Sequence, residues 1–172
     1  MSELVNKEFK EQIIYRLNES TRMISLCFDQ LPEEDIWKRP NTNSNSIGHL
    51  IVHLCGNITQ YVIASLGGLE DNRERDKEFT EEKTHSKKQL LEKLKSTLYR
   101  AKEIIQNISE EELLRKREVQ GFTFSGIGIL IHVTEHYSYH TGQIAFWIKQ
   151  LKDKKSLGFY DGIDLSIKNK KS

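Results

Sequence analysis

The sequence predicts an all-α fold, a four-helix bundle with one long crossover connection. Three observations predict it. Apolar residues recur at i, i+3 and i+4 through four long stretches; only 2 of the 172 residues are proline; and one densely charged stretch without period, residues 69–85, separates the second from the third. With 37% hydrophobic residues the chain can bury a real core. It reads as a single bundle domain over residues 1–172, with a flexible tail from about residue 165.

The elements follow in order. Ile13, Leu17, Ile24, Cys27 and Leu31 keep the helical rhythm until Pro32, which predicts a first helix over about residues 4–31. A polar stretch then ends in Asn43-Ser44-Asn45-Ser46, where Ser44 or Ser46 can cap a second helix. Ile47, Leu50, Ile51, Leu54, Ile58, Tyr61 and Val62 form its apolar face, and Gly67-Gly68 ends it. Residues 69–85 read as a solvated crossover loop. Leu90, Leu94, Leu98, Ala101, Ile105 and Ile108 mark a third amphipathic helix. Ser109-Glu-Glu-Glu112 is a capping-box pattern that starts a short helix before a turn at Gln120-Gly121. The fourth long helix, about residues 125–151, carries Ile127, Leu130, Thr134, Tyr137, Thr141, Ile144, Ile148 and Leu151 as its core stripe. A stripe of small residues including Gly142 and Ala145 adds a further unpolar face to this helix. That face suggests a central position or a homodimer contact.

Composition excludes several classes. Twenty-six Lys and Arg against 25 Asp and Glu give a formal net charge of +1, so no broad field points to nucleic acid or a membrane as partner. The basic Lys168–Lys171 end reads as a solvated tail. The N-terminus mixes both charge signs without an apolar run, so neither a signal peptide nor a membrane span is expected, and a cytoplasmic location follows by default. Cys27 and Cys55 sit singly inside apolar helical patterns and read as buried free thiols. Two residues beyond His53, Cys55 points about 200° around the helix axis and cannot share a ligand site with it.

The histidines carry the chemistry. Five of the six fall in two helical segments, as His49/His53 and His132/His136/His140. His136 and His140 stand one turn apart and aim two imidazoles at one point. A third ligand must come from the second helix, and His53, deeper in that helix between Val52 and Leu54, suits this better than His49. Three neutral imidazoles around a divalent ion leave a fourth position open, as in catalytic zinc sites. His49 and His132 read as polar residues beside or at the rim of the site, with Asn57 and Gln143 as hydrogen-bonding neighbours. Tyr137 reads as packing.

Other chemistries fit poorly. His132-Val-Thr-Glu135-His136 has the H-x-x-E-H form of inverzincin peptidases. No glutamate follows Glu135, however, and Asp153, Asp161 and Asp164 lie at or beyond the helix end. A ferritin-like di-iron bundle needs Glu-x-x-His on two helices, whereas the one instance here, Glu82 to His85, falls in the charged loop. No phosphate loop or nucleophile elbow is present.

The run from His132 to Gln143, His136-Tyr-Ser-Tyr-His140-Thr-Gly-Gln143 above all, resembles the DinB/YfiT-like superfamily of bacterial metal-binding four-helix bundles. His53-Leu-Cys-Gly-Asn57 supports the resemblance, and the segment Asn72 to Phe79 is similar to an uncharacterised Bacillus-type subgroup. His49 departs from that subgroup's pattern. The resemblance implies a divalent ion, zinc or nickel most often, on the residues matching His53, His136 and His140. It also implies the activity of characterised relatives, which join or isomerise substrates with small-molecule thiols such as bacillithiol. The expected partners are therefore a low-molecular-weight thiol and a small electrophile. Hydrolysis and noncatalytic metal binding are the alternatives.

Overall fold

The structure, a computed structural model, describes residues 3–80 and 85–168. Glu82, and Asn169 to Lys171 of the basic tail, lie outside the described residues. Four long helices form the frame, as expected. Helix α1 spans Glu3–Asp29; α2 spans Ile47–Ile58 and continues as a π-helix over Thr59–Leu66. A four-residue helix α3, Lys77–Thr80, lies in the crossover, followed by α4 at Lys87–Asn107 and α5 at Glu110–Leu114. After a hairpin of β1, Lys116–Val119, and β2, Phe122–Ser125, the chain closes with α6 at Gly126–Lys152.

Helix α1 packs against α4 and α6, and α2 packs against the same two. The two histidine-bearing helices, α2 and α6, are therefore neighbours. Between the four lies one core in which Leu17, Ile24, Phe28, Ile51, Leu54, Leu94, Ile105, Ile129, Tyr137 and Ile148 are buried. The helix from Ile47 to Leu66 is long and apolar enough to cross a membrane, yet 78% of its apolar window is buried inside the bundle. Its hydrophobicity is spent on the core. Tyr137 is fully buried and shares a hydrogen bond with Thr21, which confirms it as packing.

The hairpin was not expected from the sequence. Its strands are four residues each and pair antiparallel, Lys116 with Ser125 and Val119 with Phe122, around the predicted turn. Gln120 and Gly121 both take positive φ, 52° and 80°, the pattern that joins two-residue hairpins. The crossover also departs from a solvated loop. Glu78, in α3, is 7% exposed, and the Arg73 side chain is 3% exposed.

Beyond α6 the chain folds back over α1, where Arg22 and Gln30 donate to the carbonyls of Phe159 and Leu157. Leu165 and Ile167 are exposed. Cys27 and Cys55 are buried and unpaired, and burial pushes their thiols up to about 12 and about 11. At neutral pH neither is a nucleophile.

Candidate metal centre

The N-terminus of α2 is fixed by a capping box in which Ser46 Oγ accepts from the His49 backbone N–H at 3.2 Å and Ser46 N donates to His49 Nδ1 at 3.2 Å. His49 is thereby committed to ending its own helix. Four residues on, His53 emerges on the face turned toward α6 and is 6% exposed. From α6 come His136 and His140, both half-buried.

Nε2 of His136 lies 3.0 Å from Nε2 of His53 and 3.2 Å from Nε2 of His140. One nitrogen from each of the three rings falls within 4.8 Å of the others. Ligand nitrogens about 2.0–2.1 Å from a tetrahedral ion lie about 3.3 Å from each other, so this spacing suits coordination.

The orientation of two rings is set from outside. Glu78 Oε2 lies 2.8 Å from His53 Nδ1. Burial alone would raise the Glu78 carboxyl, but hydrogen bonds from His53 and Arg73, with the Arg73 charge, hold it below the usual carboxylate range. An ionised carboxylate only accepts, so His53 carries its proton on Nδ1 and turns the Nε2 lone pair inward. His140 Nδ1 likewise donates to Gln143 Oε1 at 2.7 Å, which leaves its Nε2 lone pair facing the same point. His136 Nε2 stands between the two, while its Nδ1 is buried without a partner among the described residues. Burial, reinforced by the neighbouring histidines, lowers His136 to about 3 and also depresses His140. These shifts favour the neutral form of His136 and His140, the form that binds metal. Three ring nitrogens converging on one point, two of them with their lone pairs turned inward, fit a divalent cation.

Glu78 and Arg73 are the residues the sequence did not single out. Arg73 Nε donates to Glu78 Oε1 at 2.7 Å and Nη2 to Oε2 at 2.9 Å, while Nη1 reaches Gln60 Oε1 at 2.8 Å. This fork orients the carboxylate that orients His53. Two sequence signals pointed here. Phe79 is the one aromatic residue in the charged crossover, and its ring lies 5.0 Å from that of His53. Gly56 interrupts an apolar helix, and a Cβ there would overlap the Glu78 carboxylate.

His132 stays outside the cluster. Its ring stacks on Tyr61 at 4.4 Å and lies 5.7 Å from His136, and burial depresses its pKa. Phe124 of the hairpin also stacks on it, at 5.9 Å. Gln143 takes the hydrogen-bonding role expected of it, whereas Asn57 is buried with its side-chain oxygen unpartnered among the described residues. Cys55 takes no part.

Comparison with known proteins agrees with this architecture. Residues 4–159 match the sequence profile of a family described as "protein of unknown function (DUF1572)". A DinB-like protein from Bacillus subtilis has a similar structure, with a TM-score of 0.64 at 17% identity over 84% of this chain and 94% of its own. A DinB-like protein from Bacillus cereus gives 0.65 at 20% identity over 83% and 90%. These two share the fold. No functionally curated protein matches the chain.

Proposed function

The chain belongs to the DUF1572 family of DinB-like helical bundles, and on that premise we propose that it is a metal-dependent transferase joining a low-molecular-weight thiol to a small electrophile, with His53, His136 and His140 as metal ligands. The observation that supports this most is the convergence of one ring nitrogen from each of three histidines on one point without a fourth His, Cys, Asp or Glu in the cluster among the described residues. A site completed by protein would serve structure, whereas three ligands leave room for a reactant. When bound, zinc or nickel supplies Lewis acidity, which lowers the pKa of a thiol or polarises an electrophile.

The chain's own residues hold that arrangement. Glu78 and Gln143 fix the tautomers of His53 and His140, and Arg73 keeps Glu78 ionised. Neither cysteine is available as a protein nucleophile, so the attacking sulfur must be the cosubstrate's. Bacillithiol, or another small cytoplasmic thiol, is the cosubstrate class suggested by the resemblance, and a cytoplasmic location accords with two reduced cysteines.

Metal-loaded and chelator-stripped protein should be assayed with bacillithiol and a panel of model electrophiles. Metal-dependent conjugate formation is expected. Metal-dependent product without thiol would replace the proposal by hydrolysis. Silence in both conditions, with four protein ligands on the ion, would replace it by a noncatalytic metal-binding role.

A further inference from the structure

Beside the histidine centre, α6 and the loop leading into α2 enclose a cleft of about 630 Å³. That volume falls within the roughly 300–1,000 Å³ of small-molecule sites. Its lining is chemically unusual for this chain. Charged residues make up 30% of the sequence, yet no Asp, Glu, Lys or Arg lines the cleft. The groove between α1 and α4, by contrast, is lined by Lys7, Lys10, Glu11 and Glu110 among others.

One wall is aromatic. Tyr139 and Phe146 are 62% and 64% exposed, two turns apart on the same face of α6, and Trp147 stands beside them. The indole N–H of Trp147 donates to the carbonyl of Lys38 at 3.3 Å and ties this wall to the opposite loop. The other wall is built of amides. Asn43 and Asn45 of the loop line it, Gln150 extends the α6 wall one turn beyond Phe146, and no hydrogen bond to these three side-chain amides is seen among the described residues. An amide offers both a donor and an acceptor without charge.

The cleft also touches the metal centre. His140 and Gln143 both line it, and since Gln143 Oε1 is taken by His140 Nδ1, the Gln143 NH₂ group remains to donate into the cleft.

We propose that this cleft binds an uncharged, flat molecule bearing carbonyl or amide groups. The ring lies against Phe146 and Trp147, and the polar groups meet Asn43, Asn45 and Gln143. Its assignment as the electrophile of the reaction rests on the transferase reading; the binding itself does not.

The probes are benzamide and benzoate, alike in shape but respectively neutral and anionic at pH 7.5, titrated into ¹⁵N-labelled full-length protein. Benzamide should shift the Trp147 indole and Gln143 side-chain signals saturably, with benzoate at least tenfold weaker. Phe146→Ala, at an exposed position, should weaken benzamide at least tenfold without altering the helical circular-dichroism spectrum. Chelator-treated protein should bind benzamide as well as metal-loaded protein. Conjugation assays that fail while this binding persists remove the transferase reading and leave the cleft. Equal binding of benzoate, indifference to Phe146→Ala, or a dimer of about twice the chain mass that Phe146→Ala converts to monomer would overturn the cleft as a ligand site.

Discussion

Glu78→Gln tests the least local part of the centre. Gln preserves the shape and one acceptor oxygen but removes the charge that fixes the His53 tautomer across a 2.8 Å hydrogen bond between two side chains that are each 7% exposed. Loss of such an outer partner typically lowers metal affinity 10–100-fold, or about 1.4–2.8 kcal/mol. A second effect acts on stability. The Arg73 side chain, 3% exposed, loses its carboxylate, and breaking a buried pair by removing one partner costs about 3–5 kcal/mol, less whatever the new amide oxygen recovers. The two effects separate in the double variant Glu78→Gln/Arg73→Met, which removes the stranded charge and should regain stability without regaining affinity. Competition for zinc with a chromophoric chelator measures the first effect, and urea denaturation of metal-free protein the second. If Glu78→Gln is destabilised but binds zinc within twofold of the parent, Glu78 serves only as the counterion of Arg73 and the orienting argument is wrong.

The remaining predictions concern the ligands, pH and assembly. His136→Ala should lose stoichiometric metal in elemental analysis while His132→Ala keeps most of it; full retention in single alanine variants of His53, His136 and His140 would remove the ligand assignment. His136 lies at about 3, and His140 and His132 are also depressed, burial being the largest cause in each. Their folded forms bind fewer protons than the unfolded chain, so their stabilisation is complete above about 6.5, the ordinary histidine value, and is lost as pH falls from there toward 3. The urea midpoint of metal-free protein should accordingly drop by a few kcal/mol equivalent over that window, less steeply in His136→Ala; a flat midpoint contradicts the depressed values. A homodimer through the small-residue face of α6, where a Cβ on Gly142 meets nothing within 4 Å, should give about twice 20.1 kDa in light scattering with Phe146 or with Ala in its place, and a mass near 20 kDa at micromolar concentration rejects it.

The parts of this protein that were legible from sequence are those written in a repeating local pattern. The core stripe of α6 needed only a 3.6-residue period, and Ile144 and Ile148 are buried where that period puts them. The meeting of His136 and His140 needed only one helical turn. His53 was reachable because α2 is apolar nearly all round, so a histidine deep within it has to face the bundle interior. The hairpin escaped because Lys116–Val119 and Phe122–Ser125 are too short to display a period of two, even though the Gln120-Gly121 turn between them was recognisable. Residues 69–85 misled for a different reason. Alternating Asp, Glu, Lys and Arg is the composition of a solvated segment, and only the neighbouring Phe79 sets the glutamate that is 7% exposed apart from the others.

That difference has a chemical counterpart in how the three rings are held. His140 is oriented by Gln143, three residues along the same helix, an interaction any correctly formed α6 produces by itself. His53 depends on Glu78, 25 residues away, and therefore on the crossover docking against α2 at Gly56. His136, whose Nδ1 is unpartnered among the described residues, depends on neither and is placed by the packing of its helix alone. The cluster thus rests on interactions of two ranges: α6 places His136 and His140 by itself, and the docked crossover sets the tautomer of His53. A substitution that loosens the crossover, such as a side chain at Gly56, should leave the bundle and the His136/His140 pair intact and weaken metal binding through His53.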